Sequence, residues 1–239
     1  MMASRITLVM GLLGLHCART PPVLEPSSAS DRPEARAPDA RPTVRYMALG
    51  DSFTIGTGST PEEAFPARLA ARWSGRCAVT LRNPAVNGFS TQDLLDVELP
   101  MVRAFDPTFV TLAVGANDIV RGRTLDEYRA QVRRLFEALA AQGVPASRVV
   151  TLPQPDWSLS PTGQRFGPQE VIHAQIVAFN AALRDISTGL GARYVDLFPL
   201  MEAQGRAAMF APDDLHPSAA AHDAWAEALA SALREVCAP

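Results

Sequence analysis

Short apolar runs and longer amphipathic stretches alternate along the chain from Val44 onward. The runs Val44–Gly50, Cys77–Arg82, Thr108–Val114, Arg148–Leu152 and Arg193–Val195 have the pattern of strands. The first, VRYMALG, lacks polar alternation, as expected of a parallel strand covered on both faces. Between the runs the spacing predicts helices at Pro61–Ser74, from Thr91 with Leu94, Leu95 and Val97 facing the core, at Thr124–Gln142, from Pro168 to about Leu190, and from the last loop to near Cys237. Pro61 suits a first helical turn, and Glu62 and Glu63 suit the positive end of its dipole. Thr124–Gln142 is the clearest amphipathic helix, with Thr124 and Glu127 as a capping box and Gly143 as its stop. Strands alternating with helices predict an α/β fold, a parallel sheet with helices on both sides.

Ligands of such sheets bind beyond the carboxyl ends of the strands, so the residues that follow each run matter most. VRYMALG passes directly into Asp51, Ser52 and a Gly/Thr-rich turn ending at Gly58, which makes Ser52 the first candidate nucleophile. The second run leads to the turn-rich loop Asn83–Ser90, and the third to GAND, Gly115–Asp118. The fourth leads to an irregular stretch, 153–167, of a length that is usually functional in a compact domain. A final loop, Phe210–Pro217, reads FAPDDLHP.

The first residues break this pattern. Arg5, an apolar run Ile6–Leu15 and then Cys17 follow the order of an export signal over residues 1–18. The run is about half of what a membrane-spanning helix needs. The segment resembles a bacterial lipoprotein signal with Cys17 as the lipid-modified residue, although His16 stands where such signals carry a small one. Lipidation, plain cleavage and an unprocessed tail all remain open, and the expected location is periplasm, cell envelope or medium. Residues 19–43 mix Pro, Ala, Ser and charges without an apolar face and read as a disordered tether. The folded unit is expected over 44–239, large enough for one α/β core.

Composition removes several alternatives. A net charge of -3 gives no electrostatic reason to expect a nucleic-acid partner. All 22 basic residues are arginine, so Schiff-base lysines, Ser–Lys dyads and the P-loop lysine are excluded. Cys77 and Cys237 either pair in an oxidising compartment or are two small buried residues that never meet. No CxxC and no histidine cluster is present, and neither metal nor cofactor is expected.

A serine hydroxyl needs a base within hydrogen-bond reach. His16 lies in the signal, and His173 and His222 fall on helical stretches, whereas His216 sits on a Pro-bounded loop beside acids. An aspartate three residues earlier can curl back to hold the ring nitrogen that faces away from the serine, and Asp213 has that spacing while Asp214 does not.

Four blocks, GDS at 50–52, NG at 87–88, GAND at 115–118 and DDLH at 213–216, resemble the SGNH (GDSL) family of serine esterases and lipases, over essentially all of 44–237. Each block alone is weakly specific; the four in this order are strongly so. The resemblance implies a doubly wound, flavodoxin-like α/β/α sandwich with a five-stranded parallel sheet of order 2-1-3-4-5. It implies Ser52 as nucleophile, His216 as base and then acid, and Asp213 as its orienter. The oxyanion donors would be the amides of Ser52 and Gly88 and the side chain of Asn117; glycine permits close approach of its N–H, and an amide donates while staying neutral.

The expected activity is that of an exported serine esterase working through an acyl-serine. A thioesterase or carbohydrate deacetylase with the same triad is the alternative, and a non-catalytic surface binding module a third reading. The implied partners are small-molecule, lipid or acylated-glycan esters, with membrane attachment only through a lipidated Cys17. Asp51 and Asp118 are expected to hydrogen-bond their own loops. Trp157 and Phe166 either line the acyl or alcohol pocket or pack under the long loop. GFSTQ at 88–92 lacks the last glycine of GxSxG, and Pro61 breaks the dinucleotide pattern begun by Gly56 and Gly58.

Overall fold

The computed structural model of the chain describes residues 41–238. The expectations for residues 1–18, for Cys17 and for most of the tether lie outside them.

In chain order the elements are β1 (Thr43–Gly50), α1 (Ser52–Ile55), α2 (Phe65–Trp73), β2 (Ala78–Arg82), α3 (Thr91–Asp93), α4 (Val102–Phe105), β3 (Phe109–Ala113), α5 (Ala116–Val120), α6 (Leu125–Ala141), β4 (Val149–Thr151), α7 (Gln169–Gly189), β5 (Arg193–Tyr194), α8 (Phe198–Arg206) and α9 (Ala219–Ala232). The strands form one parallel sheet in the order β2-β1-β3-β4-β5. The chain therefore winds outward in both directions from the β1–β3 junction. At that junction the connections leave for opposite faces and open a crevice at the carboxyl edge.

Alternation along the strands fills two cores. Met47, Leu49, Val110 and Leu112 pack with Val132, Leu135, Ile176 and Leu183 of α6 and α7. Tyr46, Ala48 and Phe109 pack on the other face with Leu69 and Trp73 of α2 and Trp225 and Leu229 of α9. The rings of Tyr46 and Phe109, paired across β1 and β3, stand 5.2 Å apart, and the buried Tyr46 hydroxyl bonds Thr111 Oγ1 at 2.9 Å. The central strands β1, β3 and β4 are thus apolar on both sides, the reason for their unbroken runs in the sequence.

The Thr124–Glu127 capping box forms as expected, and Gly143 follows the helix at φ 90°. Other expectations need correction. α2 starts at Phe65, with Pro66 rather than Pro61 in its first turn. Thr60 and Glu63 close a separate turn before it, the Glu63 carboxylate accepting from the Thr60 amide at 3.0 Å.

After Thr91 the backbone widens into a π-helical segment, Leu94–Glu98, and then tightens into a 3-10 turn, Leu99–Met101. That change of pitch moves Val97 to solvent, 41% exposed, and turns Glu98 inward beside Leu94. α8 was not foreseen. The long stretch 153–167 contains two 3-10 turns, Trp157–Leu159 and Gly163–Phe166. Cys77 and Cys237 form a disulfide across 160 residues, with Cα atoms 5.3 Å apart, tying the start of β2 to the C-terminal turn Arg234–Cys237.

Candidate active site

Gly50 ends β1 in a space that only glycine fits, since a Cβ there would stand 2.6 Å from the Ala113 carbonyl oxygen. Asp51 then caps α1, its Oδ1 accepting from the Phe53 amide at 3.0 Å. Ser52 is thereby placed on the first turn of a short helix at the carboxyl edge of β1, 8% exposed. Its hydroxyl makes no hydrogen bond among the described residues.

The last loop folds over this turn. Gly58 packs so closely on Ala211 that an added Cβ would lie 2.5 Å from the alanine Cβ and 3.6 Å from Asp213 Oδ2. The His216 ring stands 5.3 Å from that of Phe53, the residue after Ser52. Asp213 Oδ2 bonds His216 Nδ1 at 2.6 Å, and Asp213 Oδ1 accepts from the amides of Leu215 and His216, each at 3.0 Å. Burial alone pushes the Asp213 carboxyl up, but these bonds outweigh it and hold the group below its usual range. An ionised carboxylate thus faces the imidazole. Thr162 fixes the loop from outside, its amide on Asp214 O at 3.1 Å and its hydroxyl on Asp213 O at 3.0 Å.

The two middle blocks are joined to the first and to each other. Thr57 Oγ1 bonds Asn87 Oδ1, next to Gly88. Gly88 has φ 80°, and nothing lies within 4 Å of where a Cβ would stand. Its glycine is demanded by the left-handed backbone rather than by a crowded wall, and the space beside it is open. Asn117, on α5, donates from Nδ2 to the Phe89 carbonyl at 3.0 Å, which fixes the amide plane and leaves its second N–H unused by that bond. Arg121 clamps the loop, donating to Gly88 O at 2.7 Å, Ser90 Oγ at 3.0 Å and Asp93 Oδ2 at 2.8 Å.

Asp51 does bond within its own turn, but Asp118 does not. Its oxygens accept from the amide and hydroxyl of Thr91, at 2.9 and 2.6 Å, linking the second and third blocks. Arg123 Nε stands 2.8 Å from Asp118 Oδ1, a charge contact without hydrogen-bond alignment. Sequence reasoning passed over Arg121, Thr91 and Glu98. Arg121 carries no local signal, but Glu98 lies four residues after the core-facing Leu94, on the same helical face.

Trp157 lines a cavity of about 20 Å³ with Phe53, Leu215, Pro217 and Trp225, and its ring meets Phe166 edge-on at 5.8 Å. That volume holds about one water. The cavity therefore supplies no acyl pocket, and Phe166, 52% exposed, is not among its walls. Among the described residues one donor group is compact enough for a metal: Asp156, His173 and Glu202, mutually within 4.8 Å. Its carboxylates already have hydrogen-bond partners, Asp156 in His173 Nδ1 at 2.7 Å and Glu202 in Arg206 at 2.6 Å.

Ser52, the Asp213–His216 pair, Gly88 and Asn117 thus stand along the carboxyl edge of the sheet in an α/β/α fold. The fold is shared with the lipase/acylhydrolase of Enterococcus faecalis, at a TM-score of 0.67 and 19% identity over 82% of this chain and 98% of that one. It is shared also with the psychrotrophic esterase EstA of Pseudoalteromonas sp., at 0.64 and 19% over 80% and 97%. The Thioesterase 1/protease 1/lysophospholipase L1 of Escherichia coli K12 is 26% identical over 108 residues, 45% of this chain, which spans about half, 51%, of that relative. The model of the GDSL-like lipase/acylhydrolase family matches residues 48–224, a stretch that contains all four blocks, and the chain belongs to that family.

Proposed function

We propose that the chain is an exported serine esterase that hydrolyses carboxylic esters through an acyl-Ser52 intermediate. One observation carries the reading: the Asp213–His216 hydrogen bond lies against the very turn that presents a free Ser52 hydroxyl. In the first half-reaction Ser52 Oγ attacks the ester carbonyl carbon while His216 Nε2 takes the serine proton. Asp213 holds Nδ1–H, fixing the tautomer and stabilising the imidazolium. In this reading the oxyanion is met by the amides of Ser52 and Gly88 and the second N–H of Asn117, whose amide plane is fixed by its bond to the Phe89 carbonyl. Collapse breaks the bond to the alcohol, which leaves with the proton from His216. Water then attacks the acyl-serine by the same route, releasing acid and free enzyme. The nucleophile–base contact is expected in the substrate complex, where such bonds often tighten.

Substrate selection is proposed to lie on the open edge, where the exposed Val86 and Val120 flank Gly88 and Asn117 in the chain. Export is supported by the Arg5, Ile6–Leu15 pattern and by the Cys77–Cys237 disulfide, a bond that persists in oxidising compartments. Small-molecule, lipid or acylated-glycan esters are the proposed substrates. Any membrane attachment would run through Cys17, and no helix among the described residues is long and apolar enough to cross a membrane.

Hydrolysis of a short-chain aryl ester by the wild type, abolished in Ser52→Ala with the fold intact by circular dichroism, is the expected result. Undiminished hydrolysis in that variant overturns the mechanism. A panel of aryl esters, acyl-CoA thioesters, acetylated glycans and phospholipids, ranked by kcat/KM, separates esterase from thioesterase and deacetylase.

A further inference from the structure

Two acids beneath the Ser52 turn have no part in the chemistry above. Asp51 and Glu98 are both 0% exposed. No ion pair among the described residues involves either. Asp51 Oδ1 accepts from the Phe53 amide and Glu98 Oε2 from the Gly50 amide, each at 3.0 Å, so together they hold the backbone on both sides of Ser52. Their other oxygens, Asp51 Oδ2 and Glu98 Oε1, are buried without a partner, as is Thr54 Oγ1. A carboxylate sealed from water without a cation costs several kcal/mol, and a carboxyl so placed keeps its proton instead. The proton also converts an unsatisfied acceptor into a donor.

We propose that Glu98 is a positioning residue for the nucleophile: as a neutral acid it grips the Gly50 amide while Asp51 grips that of Phe53, and ionisation of the pair loosens the turn that aims Ser52. This rests on the esterase reading of Ser52. Two charges under one turn, with no cation between them, are relieved only by moving the acids apart or admitting water. Either motion releases the amides.

Burial pushes Asp51 up to about 7 and Glu98 up to about 8; the amide bonds oppose this, and the Asp51 charge adds to the rise at Glu98. The neighbouring elements contribute Asp118 of α5, which raises Asp51 further and is itself answered by Arg123, and Tyr128 of α6, whose hydroxyl donates to Val114 O. Both acids have folded-state values above the unfolded ones near ~4. Their contribution to stability is therefore full below ~4 and is lost as the pH rises to about 8.

The test is the pH profile of ester hydrolysis and of Tm in the wild type, Glu98→Gln and Glu98→Ala. Wild-type kcat should fall toward about tenfold per pH unit above about 8 with KM little changed. Glu98→Ala should lose kcat at every pH, by roughly tenfold. Glu98→Gln, which keeps an acceptor for Gly50 and cannot ionise, should restore the rate and remove the alkaline fall. Its Tm should also decline less between pH 5 and 8 than that of the wild type, a readout independent of catalysis. An alkaline fall in Glu98→Gln identical to that of the wild type, or coincident Tm profiles, overturns the inference. Absence of wild-type hydrolysis at every pH on every ester instead overturns the esterase reading, and the Tm profiles then decide whether the buried acid holds its proton.

Discussion

Two Asp–His pairs lie among the described residues, with nearly identical bonds. Asp213 Oδ2 meets His216 Nδ1 at 2.6 Å, and Asp156 Oδ2 meets His173 Nδ1 at 2.7 Å. Their settings are opposite. In the first pair the histidine is sheltered, with 11% of its side chain exposed, and the aspartate is more open at 39%; in the second the aspartate is sealed at 1% and the histidine open at 40%. The serine beside each pair differs too. Ser158 donates its hydroxyl to Asp156 Oδ1 and is spent on the acid, whereas Ser52 is committed to nothing. The second pair therefore fastens the 153–167 stretch to α7, and the first lies against the turn that carries Ser52, the proposed nucleophile. On the proposed reading, the neighbouring serine is what separates a catalytic Asp–His bond from a structural one.

Substitutions that should affect one pair and spare the other test this contrast. Ser52→Ala carries the largest expected effect, a loss of kcat on the order of 10⁴-fold or more with the Tm unchanged. Asp213→Asn should cost ~10² to 10⁴ in kcat by destabilising the productive tautomer and the imidazolium, while Asp156→Asn should leave kcat within about threefold and lower stability by ~1–3 kcal/mol; equal losses of activity from both variants would erase the distinction. Asn117→Ala should reduce kcat by ~10² to 10³ with little change in KM, as expected for a donor used only in the transition state. The smallest effect belongs to His173→Gln, a fall in stability of about 1 kcal/mol in denaturant titration with turnover retained.

Legibility in the sequence followed burial. Strands covered on both faces leave an unmistakable apolar run, as in β1, β3 and β4, whereas the edge strands β2 and β5 are half-buried or exposed and were located by their place between helices. α6 announced itself through its capping box. α8, FPLMEAQGR, did not, because of its residues only Met201 and Gln204 are buried and a proline and a glycine interrupt the pattern. Pro61 and Pro66 are equally suited to a first turn, and only the Thr60–Glu63 turn decides between them.

At the site, residues adjacent to strand ends were visible, since the sheet dictates where they converge. The proximity of Asp213 and His216 was legible because it is local, three residues apart. Asp118 was misread because its partner, Thr91, lies 27 residues away. Glu98 was passed over because an acid is not expected at a core-facing position, although it lies one turn after Leu94, while the π-helical segment leaves Val97 in solvent. Long-range bonds and changes of pitch leave no trace in a single periodicity.

The claim that Ser52 alone among the serines is activated is tested most directly by treating the folded chain with an organophosphonate and mapping the adduct by peptide mass spectrometry. One adduct per chain, on the peptide carrying Ser52 and strongly reduced in His216→Ala, is the predicted result. A folded chain that takes no label, or takes it at Ser158 beside the second Asp–His pair, would contradict the account.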